Sequence, residues 1–163
     1  MAIPSSSADR AALSGGRNDE FRYLYQNAGS GFQEIIVRMS YFDGSVNAWS
    51  KVGPMLRSST ASNSAYYMLR ATHGNNISAQ WRNNTGNNSS SVSGPPYNVP
   101  VYMRITKSGN TVTSSFGYNG SNWTELDSRS MNNLGSNFLV GVAVGSHTAG
   151  DYAEGRFEIV SIR

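Results

Sequence analysis

Val101-Tyr-Met-Arg-Ile-Thr-Lys-Ser-Gly-Asn-Thr-Val-Thr-Ser-Ser-Phe-Gly-Tyr-Asn-Gly-Ser-Asn-Trp123 reads as antiparallel strands joined by tight turns. Val101, Met103 and Ile105 alternate with Tyr102, Arg104 and Thr106, the period of a half-buried strand. Ser108-Gly-Asn110 supplies a reversal, because Gly and Asn tolerate positive φ. Residues 111–118 are rich in β-branched and aromatic side chains and suit a second strand. Asn119-Gly120 is a strong hairpin signal, and Trp123 opens the next strand. The alternation also assigns sides: Val101, Met103 and Ile105 go to a core, Tyr102 and Arg104 to an exposed face.

The rest of the chain repeats this grammar. Strands are expected at 20–26, 32–41, 49–57, 65–72, 77–82, 138–145 and 151–163. Gly53-Pro54 lies inside one of them. Proline cannot donate to a ladder, so that point is expected at an edge or a bulge. Residues 138–145 are apolar throughout, as in a central strand covered on both faces, with Gly141 and Gly145 marking close backbone approach. Residues 83–98, mostly Asn, Ser, Gly and Pro, are expected to be irregular. About ten strands with no convincing helix make an all-β fold, a two-sheet antiparallel β-sandwich or jelly roll.

At 163 residues the chain is the size of one domain and needs no disulfide staple. Without cysteine, thiolate zinc and iron–sulfur sites are excluded. Charged residues make up only 14%, with a net charge of +3, and Lys51 and Lys107 are the only lysines. The basic residues are spread singly, so nucleic acid is not an expected partner. No run of residues is apolar enough to span a membrane. Residues 1–18 are polar and are expected to form a flexible arm ahead of one sandwich domain, 19–163. They contain no apolar signal-peptide core.

Several stretches resemble, in order, the concanavalin A-like lectin/glucanase jelly rolls, in particular the bacterial modules related to laminin G-like domains. Asp19-Glu-Phe-Arg-Tyr-Leu-Tyr-Gln26 is similar to the family's D-x-F-x-F/Y-x-Y strand, and Trp49-Ser-Lys-Val-Gly-Pro-Met-Leu-Arg57 to W-x-K-x-G-x-M-x-R. Gln80-Trp-Arg82 resembles F-Q-x-R, and Pro100-Val-Tyr-Met-Arg-Ile105 resembles P-x-W-L-R-L. Gly109-Asn-Thr-Val-Thr113 and Tyr118-Asn-Gly-Ser-Asn-Trp123 resemble G-N-x-F and S-x-D-G-x-x-W. Val140-Gly-Val-Ala-Val-Gly-Ser-His147 resembles V-G-L-A-V-T-S-H, and residues 153–160 the closing A-x-F-x-x-V. The family has further strands ahead of D-x-F, which this chain is not expected to supply fully. Asn119 stands where the family tends to have Asp, which removes a ligand or capping carboxylate.

The resemblance implies a concave face carrying the M-x-R and W-L-R arginines, and therefore glycan recognition. Arg57, Arg82, Tyr97, Tyr102, Arg104, Tyr118 and His147 are the candidate ligand-binding residues. Guanidinium groups fork onto hydroxyls and carboxylates, and aromatic rings stack on sugar faces. The alternative for the arginines is pairing with Glu20, Glu34, Glu125 or Glu158. The other aromatics, Trp49 among them, read as core or rim packing. His147 lies near Asp151, but a lone His beside one Asp is not a catalytic signature, and no pair of carboxylates suited to glycoside hydrolysis stands out. No catalytic residue is assigned.

Asp43, Asp127 and Asp151 fall in expected loops where calcium would find carboxylates; there is no D-x-D-x-D-G spacing, so no cofactor is assigned and calcium is the one metal left open. The first expectation is a non-catalytic, lectin-like binding module. The second is a structural protein of a virion surface, such as a phage capsid decoration, or an extracellular adhesion module. Residues 1–18 would then contact a particle or a second copy. A glucanase-like hydrolase ranks last.

Overall fold

The computed structural model describes residues 21–163 and the backbone of Ala2–Pro4. The chain forms two antiparallel six-stranded sheets packed face to face. Sheet A has the order β1 (Ala2–Pro4), β12 (Glu154–Ile162), β3 (Glu34–Asp43), β8 (Val101–Ser108), β9 (Thr111–Gly117) and β10 (Thr124–Ser130). Sheet B has the order β2 (Arg22–Asn27), β11 (Leu139–Gly145), β4 (Lys51–Arg57), β5 (Tyr66–Thr72), β6 (Ile77–Arg82) and β7 (Ser90–Ser93). A single 3-10 turn, Asn132–Leu134, breaks the all-β pattern among the described residues. No described helix is long and apolar enough to cross a membrane.

Strand alternation sorts residues as the chain's pattern implies. Val101, Met103 and Ile105 point inward with Ile35, Val37 and Met39, all fully buried. Sheet B answers with Val52, Leu56, Tyr67, Leu69, Val140, Val142 and Val144. Tyr67 crosses the core: its hydroxyl donates to Asp127 Oδ2 at 2.8 Å and also bonds Ser114 Oγ at 2.8 Å, tying β5 to sheet A.

Several details depart from expectation. β4 is a central strand, not an edge. Its ladder to β5 pairs Val52 with Ala71 and Met55 with Met68 but skips Gly53 and Pro54, so the missing proline donor falls in a gap. A Cβ on Gly53 would sit 2.0 Å from the Leu69 carbonyl oxygen, so only glycine lets β5 approach there. Gly141 has the same reason for being glycine, with Leu24 O 1.9 Å from its hypothetical Cβ. Gly145 does not: its nearest neighbour would be Phe21 Cβ at an ordinary 3.6 Å.

In β12 the period of two is interrupted after Ile159. A bulge at Val160 places two residues where β3 has one, so Ile162, not Ser161, packs on the core. β7 lies inside the stretch expected to be irregular, and β1 precedes the first expected strand and pairs with residues 154–156. The remainder of the expected arm, residues 5–18, and any partner contact it makes lie outside the described residues.

Candidate functional site

The candidate residues do not share a face. Arg57 and Arg82 lie on the outward face of sheet B, whereas Tyr102 and Arg104 lie on the outward face of sheet A. The alternation that put Tyr102 and Arg104 on the face away from the core holds, but the face the resemblance gave to all the arginines is split between opposite sides of the sandwich.

Arg104 is engaged by the protein itself. Its guanidinium holds Glu34 Oε2 at 2.8 Å, Arg163 Nε holds Oε1 at 2.7 Å, and the Glu34 side chain is 4% exposed. The Arg104 plane also lies over Trp123, 5.4 Å from the ring centroid. Tyr102 supports the adjoining hairpin, where Gly120 adopts φ 75° above its ring. Asn119 Oδ1 accepts from the Ser121 and Asn122 amides at 3.0 and 2.8 Å, so the amide caps this turn and no capping function is lost with the family's Asp. Tyr118 is exposed beside that turn, edge-on to Phe116.

Arg57 and Arg82 organise loops. They flank Tyr66 in one cross-strand row, each within 5.5 Å of its ring centroid. Arg57 donates to Ala61 O at 2.6 Å, while Arg82 donates to Asn87 O and Ser64 O at 2.8 and 3.1 Å. Both are fully buried. Beside them Met55, Tyr66, Met68 and Ala143 form a second apolar cluster, with Phe21 and Tyr23 packed on it. Tyr97 belongs elsewhere, at the end of the sandwich, where its hydroxyl donates to Thr72 O at 2.9 Å.

The other end of this face has different chemistry. The row Arg70, Ser78, Ser93 crosses β5, β6 and β7. With Trp49 and the turn Gly74-Asn75-Asn76 it lines a cleft of about 160 Å³. Trp49 is 47% exposed and Arg70 only 5%. Ser78 Oγ accepts the Arg70 Nε–H at 2.8 Å, which fixes the plane of the guanidinium. Among the described residues no carboxylate pairs with Arg70, and its Nη1 and Nη2 groups have no hydrogen-bond partner. Burial lowers its pKa, the signature of a cation held at the cost of hydration. The strands of sheet B contain no Asp or Glu at all.

His147, beside Lys51, adopts the left-handed region at φ 63°. Burial, then the nearby charges of Lys51 and Arg70, push its pKa down to about 4. It is therefore uncharged at neutral pH. Lys51 Nζ lies 3.4 Å from Nδ1 and donates to it, which leaves Nε2 as the N–H nitrogen. The groups acting on His147 are cations, so the pairing with Asp151 considered from sequence does not form. Gln80, one row from Arg70 on this face, is 3% exposed, and its Oε1 accepts no hydrogen bond.

Trp49, Arg70 and Gln80 were not singled out from sequence. Arg70 is one of several arginines near strand ends, and nothing local marks it as the one whose terminal nitrogens face a cleft without a carboxylate. No cluster of His, Asp or Glu among the described residues could hold a metal. Asp127 lies in a strand, not a loop, and its carboxylate is engaged by Arg129 and Tyr67. Asp43 accepts from the Ser45 amide.

No protein-family model and no curated protein sequence matches the chain. Solved structures do match, at low identity. A functionally unknown protein from Saccharomyces cerevisiae aligns with TM-score 0.64 and 14% identity, over 98% of this chain and 88% of that one. A GH43 protein of Bacillus licheniformis aligns with TM-score 0.57 and 14% identity over 84% of this chain, which spans 33% of the hydrolase. A family 7 alginate lyase bound to its product aligns with TM-score 0.53 and 12% identity, over 100% of this chain and 79% of that one. The fold is thus the concanavalin A-like jelly-roll β-sandwich. The expectation of a non-catalytic module is corrected by the same comparison, because several of the solved structures it aligns with are glycoside hydrolases and alginate lyases.

Proposed function

We propose that the protein engages an acidic polysaccharide, with a uronate-type sugar seated in the cleft between Trp49 and Arg70. The observation that carries this reading is Arg70: a side chain only 5% exposed, anchored on Ser78, whose terminal nitrogens have no protein partner among the described residues and open onto the cleft. A buried cation of that kind is costly unless an anion or polar ligand completes it. A carboxylate matches the guanidinium fork in shape and charge. Trp49 offers the exposed ring on which an apolar sugar face stacks. The uncharged His147 and the absence of acidic residues from the sheet B strands leave no fixed negative charge there to repel a polyanion. The alginate lyases among the fold's solved structures act on such a polymer, which supports the choice of ligand class.

The test is titration of oligoalginate and oligogalacturonate against uncharged oligosaccharides, with bond cleavage followed in the same samples because this fold carries hydrolases and lyases. Acidic oligomers are expected to bind. Arg70→Gln should weaken them about 10- to 100-fold, the contribution of charge-assisted hydrogen bonds, and Trp49→Ala should also weaken them. Equal binding of charged and uncharged oligomers, or no effect of Arg70→Gln, would overturn the reading.

A further inference from the structure

A larger cleft of about 420 Å³ lies on the other side of the Gly74-Asn75-Asn76 turn. Its walls include Phe42, Tyr97 and Asn98, and Thr72, His73 and Val99 complete it. Its chemistry differs from that of the Arg70 cleft: no Asp, Glu, Lys or Arg lines it.

The walls are fixed by the protein's own bonds. Tyr97 is pinned through its hydroxyl to Thr72 O. Asn76 donates from Nδ2 to Gly94 O at 2.9 Å, and Asn75 from Nδ2 to Ala48 O at 3.1 Å. Both amides thereby commit donors to the backbone and keep their Oδ1 acceptors. Asn98 is exposed and makes no side-chain hydrogen bond among the described residues, so its amide brings donors as well as an acceptor. Phe42 packs edge-on to His73, ring centroids 6.2 Å apart, and presents an aromatic wall. The volume falls at the small end of the ~300–1,000 Å³ typical of ligand sites, the size for one or two sugar rings.

Asparagine amides set among aromatic rings suit hydroxyl groups, which both donate and accept, on a ring with apolar faces. Asp43, next to Phe42 in the chain, keeps its carboxyl ionised through hydrogen bonds from Ser45 that hold it below its usual range. It opposes a second carboxylate. We propose that this cleft is a separate binding site for an uncharged sugar ring, distinct from the anionic subsite at Arg70 and able to exist without it.

The experiment is ligand-observed NMR with D-glucose, D-galactose, D-mannose, D-xylose, L-arabinose and their methyl glycosides at millimolar concentration. It compares the parent protein with Asn98→Ala, Asn98→Trp and Arg70→Gln, each checked for an unchanged melting temperature. At least one uncharged sugar is expected to bind. Asn98→Ala should weaken it about fivefold, the loss of one neutral hydrogen bond, Asn98→Trp should abolish it by filling the cleft, and Arg70→Gln should leave it intact. No binding to the parent, or binding that survives Asn98→Trp, overturns the proposal. Loss in Arg70→Gln would merge the two clefts and overturn their independence. Binding of oligouronates that persists in Asn98→Trp keeps the two sites distinct.

Discussion

Replacing Arg104 with Ala separates the two outward faces of the sandwich. Arg104 contributes Nε and Nη2 contacts to Glu34 Oε2, both at 2.8 Å, against a carboxylate that is 4% exposed. A hydrogen bond to a charged group contributes about 1.5–3 kcal/mol. Removing one partner of a fully buried pair costs about 3–5 kcal/mol. The lower range applies here, because Arg104 is 30% exposed and Arg163 still holds Oε1. A loss of about 2 kcal/mol corresponds to a melting temperature lower by roughly 4–8 °C in a chain of this size. Glu34→Gln in the same background supplies the double-mutant cycle, and the two effects should be markedly less than additive. The assay is thermal and urea unfolding, with oligouronate titration on the same samples. Arg104→Ala should lower stability and leave saccharide binding unchanged. Unchanged stability together with lost binding would refute the reasoning and move the site to sheet A.

Gly141→Ala should destabilise by about 3 kcal/mol, the upper range for overpacking, because its Cβ would meet Leu24 O at 1.9 Å, whereas Gly145→Ala should be nearly neutral in urea unfolding. Tyr67→Phe should cost roughly 1–3 kcal/mol, since it leaves the fully buried Ser114 hydroxyl short of a partner and removes a donor from Asp127; denaturant midpoints check it. The His147 ring should titrate near pH 4 by NMR, and Lys51→Met should move that titration upward. Because the folded value lies below the ordinary 6.5, the stability gained from the uncharged ring is complete above about pH 6.5 and is lost as the pH falls toward 4.

The hairpins of residues 101–130 were legible because two local signals agree there: period-two alternation and Asn-Gly turn chemistry. β7 was not, since Ser90-Ser-Val-Ser93 carries no apolar pattern and its ladder is set by β6. Gly53-Pro54 showed that a ladder must lapse, but not that it lapses inside a central strand, because neighbours in a sheet are fixed by long-range pairing. The same limit explains the site. Alternation places Arg104 outward, yet says nothing about which sheet its strand joins or whether Arg57 shares that face. Arg104 found Glu34 through packing of β3 beside β8, and Arg70 was left without a carboxylate because no acidic residue lies on the strands around it.

The most direct test of the Arg70 assignment is an NMR titration of the arginine Nε–Hε signals with an oligouronate. The Arg70 signal is predicted to shift in proportion to bound ligand while the Arg104 signal stays fixed. A shift at Arg104 with Arg70 unmoved, or no shift at either, would contradict the account.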